Sequence, residues 1–279
     1  MSSVLGLITL VVFGIYLCVC LFFFIQQNGF IFPGATNDHH ILKGVEHTSI
    51  NLERGDVVLS GFRRQFTDKS NGVVVLYFGG NAEDVSTMLY LSKELGVSEF
   101  YAFNYRGYGS SNGSPSEESL VADAWAQYEY LIKEKEVSPE RILLMGRSLG
   151  SGVAVQLTQQ VKLNNQSLFG VVLVTPYDSL RAVVSHHFPW LPVRWILKHP
   201  FESLQRAGQL NTPALFLIAS LDQIIPPSHG HKLSQVWQGS SDTKVLTGYD
   251  HNNLDESPNF YPSIRAFIQK VASVNKAIP

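Results

Sequence analysis

The sequence is poor in cysteine and in clustered charge. Its 279 residues include two cysteines, Cys18 and Cys20, and both lie inside an apolar run near the N-terminus. The rest of the chain therefore has no cysteine for a disulfide or for a thiol nucleophile. Lys and Arg number 21 against 23 Asp and Glu, and they are scattered along the chain, so nothing indicates a nucleic-acid-binding surface.

Motifs that bind nucleotides, cofactors or metal ions are also missing. Neither G-x-G-x-x-G nor a G-K-[ST] ending occurs, which argues against a phosphate-binding loop. Nine histidines are present, but those that are close together in the chain lack the Cys or Glu that would complete a ligand set. We therefore expect neither a cofactor nor a metal ion.

One long apolar run is present, from Val4 to Ile25, and it contains no charged residue. Its 22 residues would reach about 33 Å as a helix, enough to cross a bilayer core. A cleaved signal peptide is the alternative, but the run lacks a basic region before it and an A-x-A site after it. We predict a single-pass membrane anchor over residues 1–27 and a linker over 28–44. The orientation of this anchor is not predicted, because the first basic residues after the run, Lys43 and Arg54, are too far from it to bias the orientation clearly.

The remainder, residues 45–279, alternates short apolar runs with longer amphipathic segments. Strands are predicted at 47–52, 57–62, 73–78, 100–104, 141–146, 170–175, 214–219 and 244–249, and helices at 82–95, 116–133, 149–161 and 228–236. The first two strands have the pattern of a hairpin, whereas the later strands alternate with helices. This order predicts an α/β fold with an eight-stranded, mostly parallel sheet and helices on both faces.

The stretch "LLMGRSLGSG" places Ser148 between Gly146 and Gly150, directly after a predicted strand and before a predicted helix. G-x-S-x-G in this setting is the pattern of a nucleophile elbow, a sharp turn with strained backbone angles at the serine. The alternative is a turn whose serine caps the helix. The strand, turn and helix context favours a nucleophilic Ser148.

A serine nucleophile needs a histidine base and a carboxylate that orients it, and after an elbow these follow in the order acid, then histidine. His251 follows the last predicted strand, and Asp222 follows the strand before it. Asp178 is the alternative acid, although "DSLRAVV" reads as a helix N-cap, and Asp250 would point away from the imidazole. We expect surface or capping positions for the other histidines, which are His39, His40, His47, His186, His187, His199, His229 and His231.

The loop "GGNAED" after the third predicted strand is the candidate for the oxyanion hole. Gly79 and Gly80 would let the backbone approach a ligand closely. Two backbone N–H groups usually bind the oxyanion, one from this loop and one from the residue after the serine. We predict that Asn81 and Leu149 provide them.

From about Val45 onward, the chain resembles the α/β-hydrolases, in particular the membrane-anchored abhydrolase-domain group that includes protein depalmitoylases and lysophospholipid or monoacylglycerol lipases. The motifs that carry the resemblance are "GGNAED", "NYRGYGSSNGSPSEESL", "GRSLGSG", "TPYDSL", "FPWLPVRWIL", "LDQIIPPSHG" and "DHNNL". The resemblance implies that Ser148, Asp222 and His251 form a triad. It also implies that Arg106, Tyr108 and Glu118 belong to a segment that supports the structure and lines the pocket.

Two departures from the family pattern are visible. The family usually has His-Gly where this chain has Gly79-Gly80, and an acidic residue where Asn253 stands. The first departure is expected to reshape the acyl pocket.

The stretch between the sixth and seventh predicted strands is where such enzymes insert a lid, and here it allows a small cap over about residues 179–212. Its apolar side chains could line an acyl entrance, rest against the bilayer or be core; they are Phe188, Trp190, Leu191, Trp195 and Ile196. The sequence thus favours a membrane-anchored serine hydrolase of lipid-like acyl esters or thioesters. A serine peptidase of related fold and a non-catalytic binding protein are the alternatives.

Overall fold

The apolar run near the N-terminus forms one continuous helix, α1 (Ser2–Ile31). The computed structural model describes residues 2–34, 42–67 and 71–276. Of these, one helix is long and apolar enough to cross a membrane. It ends four residues beyond the expected anchor boundary, so Asn28 to Ile31 are helical rather than linker. Residues 35–41 of the predicted linker lie outside the described residues, and the domain boundaries remain predictions.

The rest of the chain alternates strands and helices. The strands are β1 (Thr48–Arg54), β2 (Val57–Gln65), β3 (Val74–Phe78), β4 (Glu99–Phe103), β5 (Ile142–Arg147), β6 (Gly170–Val174), β7 (Ala214–Ala219) and β8 (Ser241–Leu246). The other helices are α2 (Val85–Leu91), α3 (Glu117–Lys133), α4 (Leu149–Leu163), α5 (Leu180–His187), α6 (Val193–Ile196), α7 (Leu204–Ala207), α8 (Pro227–Val236) and α9 (Phe260–Lys276).

All eight strands form one sheet in the order β1-β2-β4-β3-β5-β6-β7-β8. β2 is antiparallel to both of its neighbours, and every pair from β4 to β8 is parallel. The predicted fold class is therefore confirmed, including the hairpin formed by β1 and β2. Every residue of β3, β6 and β7 is buried, because apolar cores cover both faces of the sheet.

Two elements begin three residues away from their predicted start. β8 starts at Ser241, three residues before the predicted strand, because it is an edge strand whose first residues are polar and partly exposed. α2 starts at Val85 rather than Ala82, since the Asp84 side chain accepts the Ser86 N–H and caps the helix there. A 3-10 turn, Ser92–Leu95, completes the segment.

The carboxyl ends of the parallel strands meet at one edge of the sheet, where ligands bind in open α/β sheets. β3 leads into the loop of Gly79 to Asn81, and β5 leads into Ser148. Asp222 follows β7 and His251 follows β8. Parallel topology thus brings together four segments that are far apart in the chain.

The predicted small cap consists of α5, α6 and α7, and one face of α1 packs on it. Tyr16, Cys20, Phe23 and Gln27 of α1 lie on this face, at spacings of four, three and four residues that align them along one side of a helix. Cys20 and Phe23 pack with Leu191, while the other sides of α1 are exposed and apolar.

Candidate active site

Ser148 lies in the sharp turn between β5 and α4 and has strained backbone angles. Its φ is 51° and its ψ is −118°, a combination that a non-glycine residue adopts only when the surroundings enforce it. The Ser148 N–H donates to the carbonyl oxygen of Val174 at 2.9 Å, which ties the turn to β6. The Ser148 side chain makes no capping hydrogen bond to α4, so the alternative of a capping serine does not describe it.

Two glycines are necessary for this turn. A Cβ on Gly146 would stand 2.3 Å from the carbonyl oxygen of Gly150. A Cβ on Gly150 would stand 2.1 Å from the carbonyl oxygen of Phe78 at the end of β3. Both distances are far inside van der Waals contact, so the G-x-S-x-G spacing reflects the close approach of α4 to two strands.

The structure brings Ser148, His251 and Asp222 into one chain of hydrogen bonds. His251 Nε2 lies 3.0 Å from Ser148 Oγ, and His251 Nδ1 lies 2.7 Å from Asp222 Oδ2. An ionised carboxylate can only accept, so Nδ1 donates to it and Nε2 is left to accept from the serine hydroxyl. All three residues are buried.

Backbone groups hold Asp222 in this orientation. Its second oxygen, Oδ1, accepts the N–H of Ile224 at 2.9 Å and the N–H of Ile225 at 2.7 Å. The carboxylate therefore cannot rotate away from His251 without losing two hydrogen bonds. Asp250, the neighbour of His251, instead accepts the N–H groups of Asn252 and Asn253 within its own turn.

Arg147 supports the loop that carries His251, a contact that the sequence analysis missed. One guanidinium nitrogen donates to the carbonyl oxygens of His251 and Asn252, each at 3.2 Å. Burial tends to lower the pKa of Arg147, but Tyr77, Glu83 and other neighbours outweigh it and raise that pKa. Its position directly before the serine in "GRSLG" marks Arg147 as part of the turn, but no sequence pattern pairs it with the loop of His251, 104 residues away.

The predicted oxyanion loop lies against the serine. A cavity of about 220 Å³ there is lined by Gly80, Asn81 and Ser148 among others. Within the described residues, no acceptor bonds the N–H of Asn81 or the N–H of Leu149, so both remain available to a ligand. Their role in an oxyanion hole stays a prediction.

Two tyrosine hydroxyls hold this loop by hydrogen bonds to its carbonyl oxygens. Tyr105 donates to the carbonyl oxygen of Gly79 at 2.9 Å, and Tyr108 donates to that of Asn81 at 2.6 Å. Burial raises the pKa of Tyr108 to about 12, so its hydroxyl keeps its proton. The carbonyl oxygens of Gly79 and Asn81, at the two ends of the loop, are thus occupied.

Glu83 is a second supporting residue that the sequence analysis missed. Its Oε1 accepts the hydroxyl of Tyr77 at 2.6 Å, and its Oε2 accepts the N–H of Gly80 at 2.8 Å. Burial, followed by the charge of Glu83, raises the pKa of Tyr77 well above its usual value. Where the family usually has His-Gly, this chain therefore holds its Gly79-Gly80 turn through the carboxylate of Glu83, three residues after Gly80.

Asp178, the alternative acid, belongs to a separate cluster. Its Oδ1 lies 2.7 Å from His229 Nδ1, and its Oδ2 lies 2.9 Å from Lys232 Nζ. The expectation that Asp178 caps α5 is wrong, because the Oγ of Ser179 accepts the Ala182 N–H and fills that role.

Two histidines expected at the surface or at helix caps are instead buried and paired. His229 bonds Asp178, as described. His199 donates from Nε2 to the side-chain oxygen of Asn28 on α1 and accepts the N–H of Glu117 at Nδ1. Burial, with help from the charge of Lys198, lowers the pKa of His199, so the neutral ring is favoured.

The segment from Arg106 to Glu118 is largely structural. Arg106 forms two hydrogen bonds of 2.7 Å to the buried carboxylate of Asp123. Glu118 lines a surface cavity beside Lys198 rather than the cavity at the serine. Its neighbour Glu117 makes the interior contacts, accepting from the Phe201 N–H and the Gln156 side chain.

The cap aromatics lie between α1 and solvent. Phe188, Trp190 and Trp195 are exposed, and the ring centroids of Phe188 and Phe23 are 6.0 Å apart. Leu191 is buried against Cys20. Phe188, Trp190 and Leu191 therefore form part of the contact between the cap and α1, and an apolar cavity lies beside them.

Comparison with known proteins decides the family. A family model described as serine aminopeptidase S33, of the hydrolase type, matches residues 69–205. An uncharacterized protein of Mycobacterium tuberculosis is 32% identical over 96% of this chain and 95% of its own length. The chain belongs to the α/β-hydrolase family. The human protein ABHD12B, 28% identical over 71% of this chain and 60% of its own, is a further relative.

Other similarities agree with this assignment. A protein of Saccharomyces cerevisiae described as an uncharacterized membrane protein is 29% identical over 87% of this chain and 88% of its own. Among solved structures, an α/β-hydrolase of Vibrio vulnificus has a TM-score of 0.62 at 23% identity, covering 86% of this chain and 83% of that one. An esterase of Pyrococcus furiosus has a TM-score of 0.57 at 20% identity, covering 82% and 90%. The protein is thus a hydrolase with an esterase-like fold.

Proposed function

We propose that the protein is a membrane-anchored serine hydrolase that cleaves ester or thioester bonds of lipid-like acyl substrates. The observation that carries the proposal is the continuous hydrogen-bond chain from Ser148 Oγ through His251 to the Asp222 carboxylate. A serine hydroxyl becomes an effective nucleophile when a histidine takes its proton and a carboxylate holds that histidine.

The proposed reaction has two halves. Ser148 Oγ attacks the acyl carbon while His251 Nε2 takes the hydroxyl proton, and the imidazolium then returns this proton to the leaving alcohol or thiol. An acyl-serine remains. Water attacks it as Nε2 again takes a proton, which it passes to Ser148 Oγ when the carboxylic acid leaves.

The oxyanion would be bound by the N–H groups of Asn81 and Leu149. Neither N–H has a hydrogen-bond acceptor among the described residues; Asn81 lines the cavity at Ser148, and Leu149 directly follows the serine in the chain. Tyr108 and Glu83 fix the loop on the other side, so these donors need no reorganisation as charge develops. Removing one such donor from an enzyme typically costs about 10²–10³ in kcat.

The membrane and lipid parts of the proposal rest on α1 and on the cap. The helix is exposed and apolar over most of its length, and the S. cerevisiae relative is described as a membrane protein. Two exposed tryptophans belong to the cap. The Trp190 carbonyl accepts the Tyr16 hydroxyl of this helix, and Trp195 directly precedes Ile196, whose carbonyl accepts from Gln27 of the helix. Aromatic residues are often found at membrane interfaces. An enzyme held there meets lipid acyl groups at high local concentration.

A peptidase is the second candidate, because the matched family model is described as a serine aminopeptidase. An aminopeptidase needs a free carboxylate to bind the substrate's amino terminus. Glu83 is the carboxylate beside Ser148, and hydrogen bonds from Tyr77 and Gly80 already engage both of its oxygens. The geometry therefore favours the ester reaction.

Labelling with a fluorophosphonate probe tests the nucleophile. The full-length protein should be labelled, Ser148→Ala should not be, and Ser185→Ala, a change at an exposed serine of α5, should be labelled like the parent. Ser148→Ala should also lower kcat for p-nitrophenyl acetate by about 10³-fold or more. Labelling of folded Ser148→Ala at the parental level would refute the assignment. Faster turnover of leucine p-nitroanilide than of p-nitrophenyl acetate would favour the peptidase.

A further inference from the structure

An apolar cavity lies between the anchor helix and the cap, away from the cavity at the serine. Its volume is about 240 Å³. The helix contributes Phe23 and Phe30 to its lining, and the cap contributes Val184, Phe188, Leu191 and Ile196 among others. Both walls are therefore required, since α1 alone or the cap alone would present an open apolar surface.

The described residues that line the cavity leave no polar group free to bind water. Among the described residues that line it, Gln27 alone is polar, and the amide of this side chain is already engaged. Its Nε2 donates to the carbonyl oxygens of Phe24 and Ile196, and its Oε1 accepts the N–H of Lys198 at 2.7 Å. Water enters cavities that provide polar partners, whereas apolar cavities of about 150 Å³ stay dry and admit a molecule such as benzene. An apolar occupant fits this cavity.

The position of the cavity on α1 places it at the membrane boundary. About 20 residues of helix cross a bilayer core, and α1 has 30, so the last ten extend beyond the core if the helix enters at its first turn. Phe23, Gln27 and Phe30 are in this last part. Tyr16 is about two helical turns closer to the N-terminus than Phe23. Its hydroxyl donates to the carbonyl oxygen of Trp190 at 3.0 Å, so the part of the cap around Trp190 extends toward the bilayer core.

Charged residues next to the cavity match this placement. Lys198 Nζ lies 4.1 Å from the centroid of the Phe24 ring, and the Arg194 guanidinium lies 5.8 Å from that of Trp195. Cations with apolar stems beside exposed aromatic rings are typical of the headgroup level of a bilayer. The cavity thus lies where the hydrocarbon of the bilayer meets the cap.

We propose that this cavity binds the acyl chain of the substrate lipid, which enters from the bilayer along α1. The proposal rests on the proposed esterase or thioesterase activity. A volume of about 240 Å³ is below the range of about 300–1,000 Å³ that encloses a whole drug-sized ligand. It therefore suits part of a single chain rather than a two-chain lipid.

The helix α5 connects this cavity to the triad. Val184 lines the cavity, and one turn later His187 Nε2 donates to the carbonyl oxygen of Ile224 at 2.9 Å. The N–H of the same Ile224 donates to Asp222. A chain that fills the cavity therefore packs on the helix that also contacts the acid loop.

Filling the cavity tests the proposal by chain-length selectivity. Val184→Trp in the full-length protein, assayed in detergent micelles, should lower the ratio of kcat/KM for p-nitrophenyl laurate to kcat/KM for p-nitrophenyl acetate by at least about 10-fold. The tryptophan would displace several methylenes of the laurate chain from the cavity, and each methylene contact in an apolar pocket contributes substantially to kcat/KM. Val184→Met should give a smaller fall. Val236→Trp is the matched control, because Val236 is a half-exposed valine on α8 that lines no part of the cavity, and its ratio should be unchanged.

A binding measurement separates this inference from the proposed function. A palmitic acid that carries a terminal diazirine should, on irradiation with full-length Ser148→Ala in micelles, label peptides spanning 23–31 and 184–197. Such labelling, if the parent protein with Ser148 intact hydrolysed neither p-nitrophenyl ester, would overturn the proposed function and leave the binding site in place. An unchanged laurate-to-acetate ratio in folded Val184→Trp or Val184→Met, or labelling confined to other peptides, would overturn the inference.

Discussion

The sharpest prediction uses two buried Asp–His pairs of the same length. Asp222 and His251 are 2.7 Å apart, and so are Asp178 and His229. A serine hydroxyl lies within hydrogen-bond distance of His251 alone among these two histidines. Changing each aspartate to asparagine therefore removes the same kind of contact from two places, and only one of them should affect catalysis.

Asp222→Asn should lower kcat by about 10⁴-fold, as the equivalent change does in a serine protease triad. The Oδ1 atom, which accepts the Ile224 and Ile225 N–H groups, can be conserved as the amide oxygen. The amide NH₂ would then face Nδ1 of His251 and favour the tautomer that carries its hydrogen on Nε2. That tautomer cannot take the proton of Ser148, so kcat falls while KM changes little.

Asp178→Asn should lower stability rather than kcat. It weakens charge-assisted hydrogen bonds from His229 and Lys232, each of a type worth about 1.5–3 kcal/mol. Exposure of Lys232 reduces its share, so we expect a loss of about 1–3 kcal/mol in the free energy of unfolding. The kcat should remain within a few-fold of the parent.

The pair is measured with p-nitrophenyl acetate and by thermal unfolding of the full-length protein in micelles. A greater loss of kcat in Asp178→Asn than in Asp222→Asn would show that the acid is at the end of β6, and would refute the assignment. Equal losses of stability with no loss of kcat in either variant would refute the triad.

Four further predictions follow from single contacts. Burial alone would raise the pKa of Asp178, but hydrogen bonds from His229, Lys232 and the Ser179 N–H outweigh it and lower that pKa. The stabilisation is then complete above the ordinary aspartate pKa and is lost as pH falls through the lowered value. The Tm difference between parent and Asp178→Asn should therefore stay constant above about pH 4 and shrink progressively below it; a difference that does not shrink in acid would contradict this. Gly150→Ala should reduce both Tm and kcat because its Cβ would stand 2.1 Å from the Phe78 carbonyl oxygen, whereas Gly208→Ala, whose nearest contact is 3.9 Å, should do neither. Gln27→Leu should cost about 1–3 kcal/mol by leaving the Ile196 carbonyl and the Lys198 N–H unpaired, while Gln26→Leu, at the exposed neighbour, should cost little; equal thermal stability of the two would contradict the docking of α1. A chain without residues 1–27 should unfold at a lower temperature than the full chain, because the cover over Leu191 and Val193 is removed, and an unchanged Tm would mean that the helix is only a tether.

The sequence by itself predicts the sheet and the serine turn, because both depend on local patterns. Buried parallel strands appear as short apolar runs between helical segments. The elbow requires Gly146 and Gly150 at fixed spacing around Ser148, since the backbone contacts there exclude any Cβ. Chain order then restricts the acid and the histidine to the loops after later strands.

Supporting contacts were not predictable in the same way, because they join residues that are distant in the chain. Arg147 bonds the carbonyl of His251, and Tyr108 bonds that of Asn81. No periodicity specifies such pairs. The pairing of Asp178 with His229 was missed for the same reason, and the capping pattern of "DSL" indicated a helix start that Ser179 in fact provides.

The N-terminal helix shows most clearly which properties the sequence determines and which the tertiary structure determines. Its length and uniform apolar composition are properties of the sequence, and they suffice to predict a helix that can span a bilayer. Tyr16 and Gln27 are eleven residues apart, about three helical turns, so they lie on one face. Only the tertiary structure shows that the cap lies against that face, where backbone groups near Trp190 and Ile196 bind both side chains. A buried amide is stable when it is hydrogen-bonded. Besides the nearby Phe24 carbonyl, the partners of Gln27 are the Ile196 carbonyl and the Lys198 N–H, from a segment more than 160 residues away.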